Sequence, residues 1–295
     1  MKTKPPLRLF RYMVMTLSIH FQKAYKTLRT FLERLLGGFL MNDILLRYLE
    51  LLEGARVGEH YSTRQDRQQK FIDWLSERMG VKAKIRVRIK RSILQSPLGM
   101  TYKHSPIEYE IALYDGETAP CECILLHEYG HVLHDLRGLY MDFMPTGRHM
   151  LDELWLRLNE AVKDYLVECE VDELCEGYPY EILKDLVLFN VRRCVEYIYE
   201  NRDIPWNLSI ILFHYATMMR YAPSIVRELD RALDEAGDLG ADIRRCAHRL
   251  VSLEHRRVKP FDIVRATHEL LKDLTGLRVG ILRLGRRAYT IRETG

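Results

Sequence analysis

Apolar residues recur every three or four positions from Leu7 to Leu35, through Phe10, Val14, Leu17, Phe21, Tyr25, Leu28 and Phe31. That rhythm predicts helix over residues 7–53, with a break at Gly37-Gly38. From Ala55 to Gln69 the chain turns polar, as a linker does, and Phe71 to Met79 reads as a short helix stopped by Gly80. The period then changes. Val81, Ala83, Ile85, Val87 and Ile89 alternate with Lys82, Lys84, Arg86, Arg88 and Lys90, which predicts a strand with one apolar and one basic face. After a turn at Ser96-Pro97-Leu98-Gly99, a second alternation sets Ile107, Tyr109, Ile111 and Leu113 against Glu108, Glu110, Ala112 and Tyr114. Asp115-Gly116 ends it.

A helix follows. Thr118 and Pro120 suit its start and Gly138 its stop, giving about 19 residues. Beyond it the pattern is almost wholly helical, over Leu151–Glu176, Pro179–Asn201, Pro205–Tyr221, Pro223–Ala236, Ala241–Glu254 and Pro260–Leu274, with Pro or Gly at most joints. Leu277 to Arg292, rich in Val, Ile, Leu and Arg, returns as a strand or hairpin. Two short strands ahead of a run of helices make an α+β chain. Three segments are expected: a basic helical segment over 1–54, a linker with a short helix over 55–80, and the main domain over 81–295.

Composition changes this picture in two places. A hydrophobic share of 47% in 295 residues is ample for a core, so the chain is globular. The formal charge of +4 is uneven, because residues 1–40 hold eight Lys or Arg against Glu33 alone. A basic, apolar helix of this kind is either a solvated face packed on its own domain or a surface for an anionic membrane or a nucleic acid. No apolar run reaches the roughly 18 residues of a membrane span, and Thr16, Ser18 and His20 interrupt the stretch that a signal peptide would need. The six cysteines form neither a dense disulfide pattern nor a CxxC pair, the usage of reduced thiols in a cytoplasmic protein.

The chemistry concentrates in Ile124-Leu125-Leu126-His127-Glu128-Tyr129-Gly130-His131-Val132-Leu133-His134-Asp135. Histidines four apart on a helix project about 40° from one another and roughly 6 Å along the axis, so both imidazoles reach one ion. Glu128, beside the first of them, faces a metal-held water without being a ligand, as a general base must. An ordinary buried helix would leave that glutamate in an apolar run without a partner, at a cost of several kcal/mol. A catalytic zinc keeps three protein ligands and a water, so one ligand is still owed by another part of the chain.

With Leu158-Asn159-Glu160-Ala161-Val162-Lys163-Asp164 following, the sequence resembles the gluzincin metallopeptidases, the thermolysin-like and aminopeptidase-like zincins. In that group a glutamate in an Asn-Glu-Ala-x-x-Asp setting on a later helix completes the zinc site. The resemblance implies Glu160 as third ligand and Asp164 as the carboxylate behind it that orients His127. Glu168, in Glu168-Cys169-Glu170-Val171-Asp172, is the alternate ligand, similar to the Glu-x-x-Ala-Asp element of membrane-type and regulatory gluzincins. Positions 160 and 168 lie about 80° apart around a helix, so one ion cannot favour both. The resemblance further implies a zincin-like fold, with a small twisted sheet on the active-site helix above a helical lower subdomain. It implies zinc-dependent peptide hydrolysis and an edge strand that pairs with an extended substrate, for which Ile107–Tyr114 is the candidate. Tyr178, Tyr180 and His214 are candidates for the group that steadies the oxyanion, and His134 is a substrate-side or capping residue. A different class of function stays open, a DNA-associated or regulatory protein using a zincin fold for recognition through the basic strand and arginine-rich tail.

Overall fold

The polar stretch ahead of Phe71 is helical: α1 spans Arg64–Arg78 and starts seven residues before the apolar run does. Glutamine, lysine and arginine are all good helix formers, and here two of the glutamines have structural work. Strand β1 is Lys84–Arg91, β2 is Gly99–Ser105 and β3 is Glu108–Asp115. Gln69 Nε2 donates to the Ile85 carbonyl at 2.8 Å, Val87 N–H donates to Gln69 Oε1 at 2.7 Å, and Ile89 N–H donates to Gln65 Oε1 at 3.1 Å. The helix thereby satisfies main-chain groups on the outer edge of β1, which a bare edge strand would expose.

This computed structural model describes residues 64–91, 99–115, 122–174 and 184–294. The basic segment over 1–54, the early part of the linker, Tyr178 and Tyr180 lie outside the described residues. Helix α2 is Glu122–Leu136, 15 residues long. Contacts divide the described chain into two compact units, with the cut between Val132 and Leu133 inside α2.

In the first unit the sheet order is β1-β3-β2, with β1 parallel and β2 antiparallel to β3. Its core takes Phe71, Ile72 and Leu75 from α1, Ile85 and Val87 from β1, and Tyr109, Ile111 and Leu113 from β3. Leu125, Leu126, Tyr129 and Val132 of α2 are buried as well. The expectation that residues 107–114 form the edge strand is corrected here: β3 is the central strand, hydrogen-bonded on both sides. Ala112, on its polar face, is as fully buried as Ile111, which suits a middle strand and not an edge. The edge is β2. Its sequence, Gly99-Met100-Thr101-Tyr102-Lys103-His104-Ser105, has no apolar alternation to announce it.

The basic face of β1 meets acids of its own sheet. Lys84 lies 3.7 Å from Glu108, while Arg88 and Lys90 lie 3.1 Å and 2.8 Å from Glu110. Glu110 is buried, and the Lys90 contact, against the opposing cost of burial, holds its carboxyl below the ordinary carboxylate range with help from Arg88 and His104. Cross-strand pairing thus uses much of the charge that suggested a nucleic-acid surface.

The second unit is helical with a small sheet. After β4 (Asp142–Phe143) come α3 (His149–Leu174), α4 (Lys184–Tyr199), α5 (Ile204–Tyr221), α6 (Pro223–Asp234), α7 (Gly237–Val251), a 3₁₀ turn at His255–Arg257, and α8 (Pro260–Thr275). Strands β5 (Val279–Arg283) and β6 (Ala288–Glu293) form a hairpin, and β4 joins β6 in parallel. Prolines stand in the first turn of α5, α6 and α8, where a missing N–H costs nothing. Helix α3, 26 residues long, carries the core through Trp155, Leu158, Val162, Tyr165, Leu166 and Cys169. Trp155 Nε1 donates to the Tyr289 hydroxyl at 2.9 Å, and Asn159 Nδ2 donates to Thr267 Oγ1 at 2.9 Å, so these two buried polar groups of α3 have partners in distant segments. The described residues are therefore α+β, with two small three-stranded sheets among them and mostly helix. No helix among the described residues is long and apolar enough to cross a membrane.

Candidate metal centre

Helix α2 forms because Leu125, Leu126, Tyr129, Val132 and Leu133 give it a broad apolar face, and it stops where Gly138 takes a left-handed φ of 71°. His127 and His131 lie one turn apart on this helix, both half-buried. Their Nε2 atoms approach to 3.1 Å, with the rings edge to face at 77°. An ion held tetrahedrally at about 2.0–2.1 Å from two nitrogens sets them roughly 3.3 Å apart, close to what is found.

The two imidazoles are borderline donors that suit zinc, and a catalytic zinc takes one further protein ligand. Glu160, expected as third ligand, is exposed on α3 and accepts from Arg157 Nη1 at 2.8 Å. Arg157 in turn stacks its guanidinium 4.6 Å from the Trp206 ring. Asp164 and Glu168 are both half-buried. Asp164 stands one turn after Glu160 and one turn before Glu168, about 40° from each in projection. Its azimuth lies midway between the two positions that the sequence offered.

No protein-family model, curated protein or solved structure matches the chain. The site therefore rests on its own geometry.

Glu128 is only 6% exposed. Thr101 on β2 contacts it twice, through Oγ1 to the carboxylate Oε2 at 2.8 Å and to the main-chain oxygen at 2.9 Å. Sequence reasoning passed over Thr101, since a threonine in a polar strand carries no signal of its own. On the other face of β2, Met100 and Tyr102 gather with Tyr114: the two tyrosine hydroxyls meet at 2.9 Å, and Tyr102 also contacts Met100 Sδ at 3.3 Å. The bond from Tyr102, with burial and nearby carboxylates adding to it, pushes the Tyr114 hydroxyl up to about 12, so it stays protonated and can donate.

Past the second histidine, His134 is buried with its Nε2 3.7 Å from Glu170. Arg137 grips the same carboxylate with two bonds, at 2.6 Å and 2.9 Å. Burial alone would raise the Glu170 carboxyl, but the bonds from His134 and Arg137 outweigh it and bring it down to about 2. Because the folded value is depressed, the stability it contributes is present above the ordinary carboxylate range and is lost as pH falls from about 4.5 toward 2. Glu170→Gln is expected to destabilise the protein by about 1–3 kcal/mol at pH 7, discounted because Arg137 is half exposed, and by much less near pH 2. Urea unfolding of both proteins at the two pH values checks this, and a difference that does not shrink with acid contradicts it. The expected substrate-side or capping role of His134 thus becomes a place in a buried ionic cluster.

His214 is half-buried on α5, with its Nε2 3.3 Å from the Asn190 amide nitrogen. Lys163, beside Asp164, holds its ammonium 4.8 Å from the Tyr140 ring. Burial pushes that ammonium below the ordinary lysine range, while Glu160, Asp164, Asp135 and Asp142 pull the other way.

Proposed function

We propose that this chain is a zinc-dependent metallopeptidase of gluzincin type with a zincin-like fold. The observation that carries the reading is the approach of the His127 and His131 Nε2 atoms to 3.1 Å, on a helix whose Glu128 is buried beside the first histidine. Two imidazoles fit zinc at neutral pH, and His127 and His131 would hold it, with Asp164 taken as third ligand because Glu160 is exposed and engages Arg157. Zinc bound there would lower the pKa of a water toward about 7 and draw electron density from the scissile carbonyl.

The chain's own residues do the rest. Glu128 takes the proton of the attacking water and delivers it to the leaving amine, which matches a carboxylate held next to the ligands without being one. Strand β2, with one side on β3 and no strand on its other side among the described residues, is the edge that an extended peptide would join. Tyr114, kept protonated, is a donor on the same sheet. The alternative of a recognition protein for DNA is weaker, because Glu108 and Glu110 already pair with three of the basic side chains of β1.

The test is metal analysis together with hydrolysis of an unfolded protein. The expected result is about one zinc per chain, and activity that a chelator abolishes and added zinc restores. Absence of bound zinc after supplementation, or hydrolysis indifferent to the chelator, would refute the reading.

A further inference from the structure

A general base works only if its oxygen is aimed, and a misplacement near 1 Å costs on the order of 10²-fold in rate. Glutamate has a long side chain with several rotamers, so something must choose one for Glu128. Two positions of β2, on the same face of the strand, meet the same turn of α2. At Thr101, Oγ1 reaches Oε2 at 2.8 Å. At Gly99, a Cβ would lie 2.7 Å from Ile124 Cγ2, 2.8 Å from Glu128 Cγ and 2.8 Å from Glu128 Oε1. Real Cβ atoms do not make such contacts, so the missing side chain of Gly99 is the space that Oε1 occupies.

We infer that Thr101 is a positioning residue for Glu128, with Gly99 supplying the room, an inference that rests on the peptidase reading above. The hydroxyl engages Oε2 and leaves Oε1 as the oxygen that carries the proton from water to amine. The same hydroxyl lies 2.9 Å from the Glu128 carbonyl oxygen, so its one proton is shared between the helix main chain and the carboxylate. The edge strand therefore does more than offer pairing to a substrate: it fixes the direction of the base.

Thr101→Val keeps the shape and removes the donor. The expected result is a kcat lower by about 10–100-fold, with KM and zinc content within a few-fold of the parent. Thr101→Ser, which restores only the hydroxyl, should recover most of the loss. A readout without activity accompanies these: the ¹³Cδ signal of Glu128 in the metal-free protein at one fixed pH should move in Thr101→Val and stay near the parent value in Thr101→Ser. If Thr101→Val does not fold, Thr101→Ala makes the same comparison. Parent-like kcat and parent-like ¹³Cδ in the valine variant overturn the inference, and so do equal losses in Val and Ser, since packing alone would then explain them. If the parent binds zinc and cleaves nothing, the peptidase reading fails, and the ¹³Cδ comparison still decides whether Thr101 orients Glu128.

Discussion

If the chain is the zinc peptidase proposed above, Glu128→Gln is expected to lower turnover by about 10²–10⁴-fold while zinc stays bound, because the amide keeps the shape of the side chain and loses only its ability to take a proton. Glutamine also accepts from Thr101 through its carbonyl oxygen, so the 2.8 Å contact survives the change. Zinc content, kcat and KM of the variant measure it. Loss of zinc would make Glu128 a ligand, and turnover within a few-fold of the parent would remove it from the chemistry.

The second large effect separates three carboxylates on one helix. On the zinc reading proposed above, with Asp164 as third ligand, Asp164→Ala is expected to weaken zinc binding by more than about 100-fold and to abolish activity with it. Glu160→Ala and Glu168→Ala should leave zinc affinity within a few-fold of the parent. The Glu160 carboxylate already engages Arg157, and Glu168 lies about 40° around the helix from Asp164. Competition of each variant with a chelator of known affinity reads all three together. Zinc lost in Glu160→Ala and kept in Asp164→Ala would return the ligand role to the glutamate that the motif suggested.

That contrast marks where sequence stops informing. The four-residue spacing of His127 and His131 is a geometric statement, legible wherever the segment is helical, and α2 is helical there. The third ligand has no such rule. Its position depends on which azimuth of α3 faces the ion, and spacing along that helix sets Glu160, Asp164 and Glu168 about 40° apart in turn without choosing among them.

The fold divides in the same way. Helices punctuated by proline were readable to within a few residues at most of their ends, because a missing N–H is a local property. Strand order is not local. The alternation of residues 107–114 announced a strand and its faces but not its neighbours, and a polar edge such as β2 left no alternation to read. The hydroxyl of Thr101 was invisible for the same reason, since its meaning comes from a helix 27 positions away.

The glutamines of α1 give the first sheet a direction. Gln65 and Gln69 take hydrogen-bonding groups on the outer side of β1, so an incoming extended chain finds that side already engaged. Among the described residues the sheet can lengthen only along β2, beside the strand positions that meet Glu128. Edge-to-edge pairing of two copies would use that same row of amides and carbonyls. Self-association through the sheet and entry of a substrate strand of the kind proposed above would therefore exclude one another.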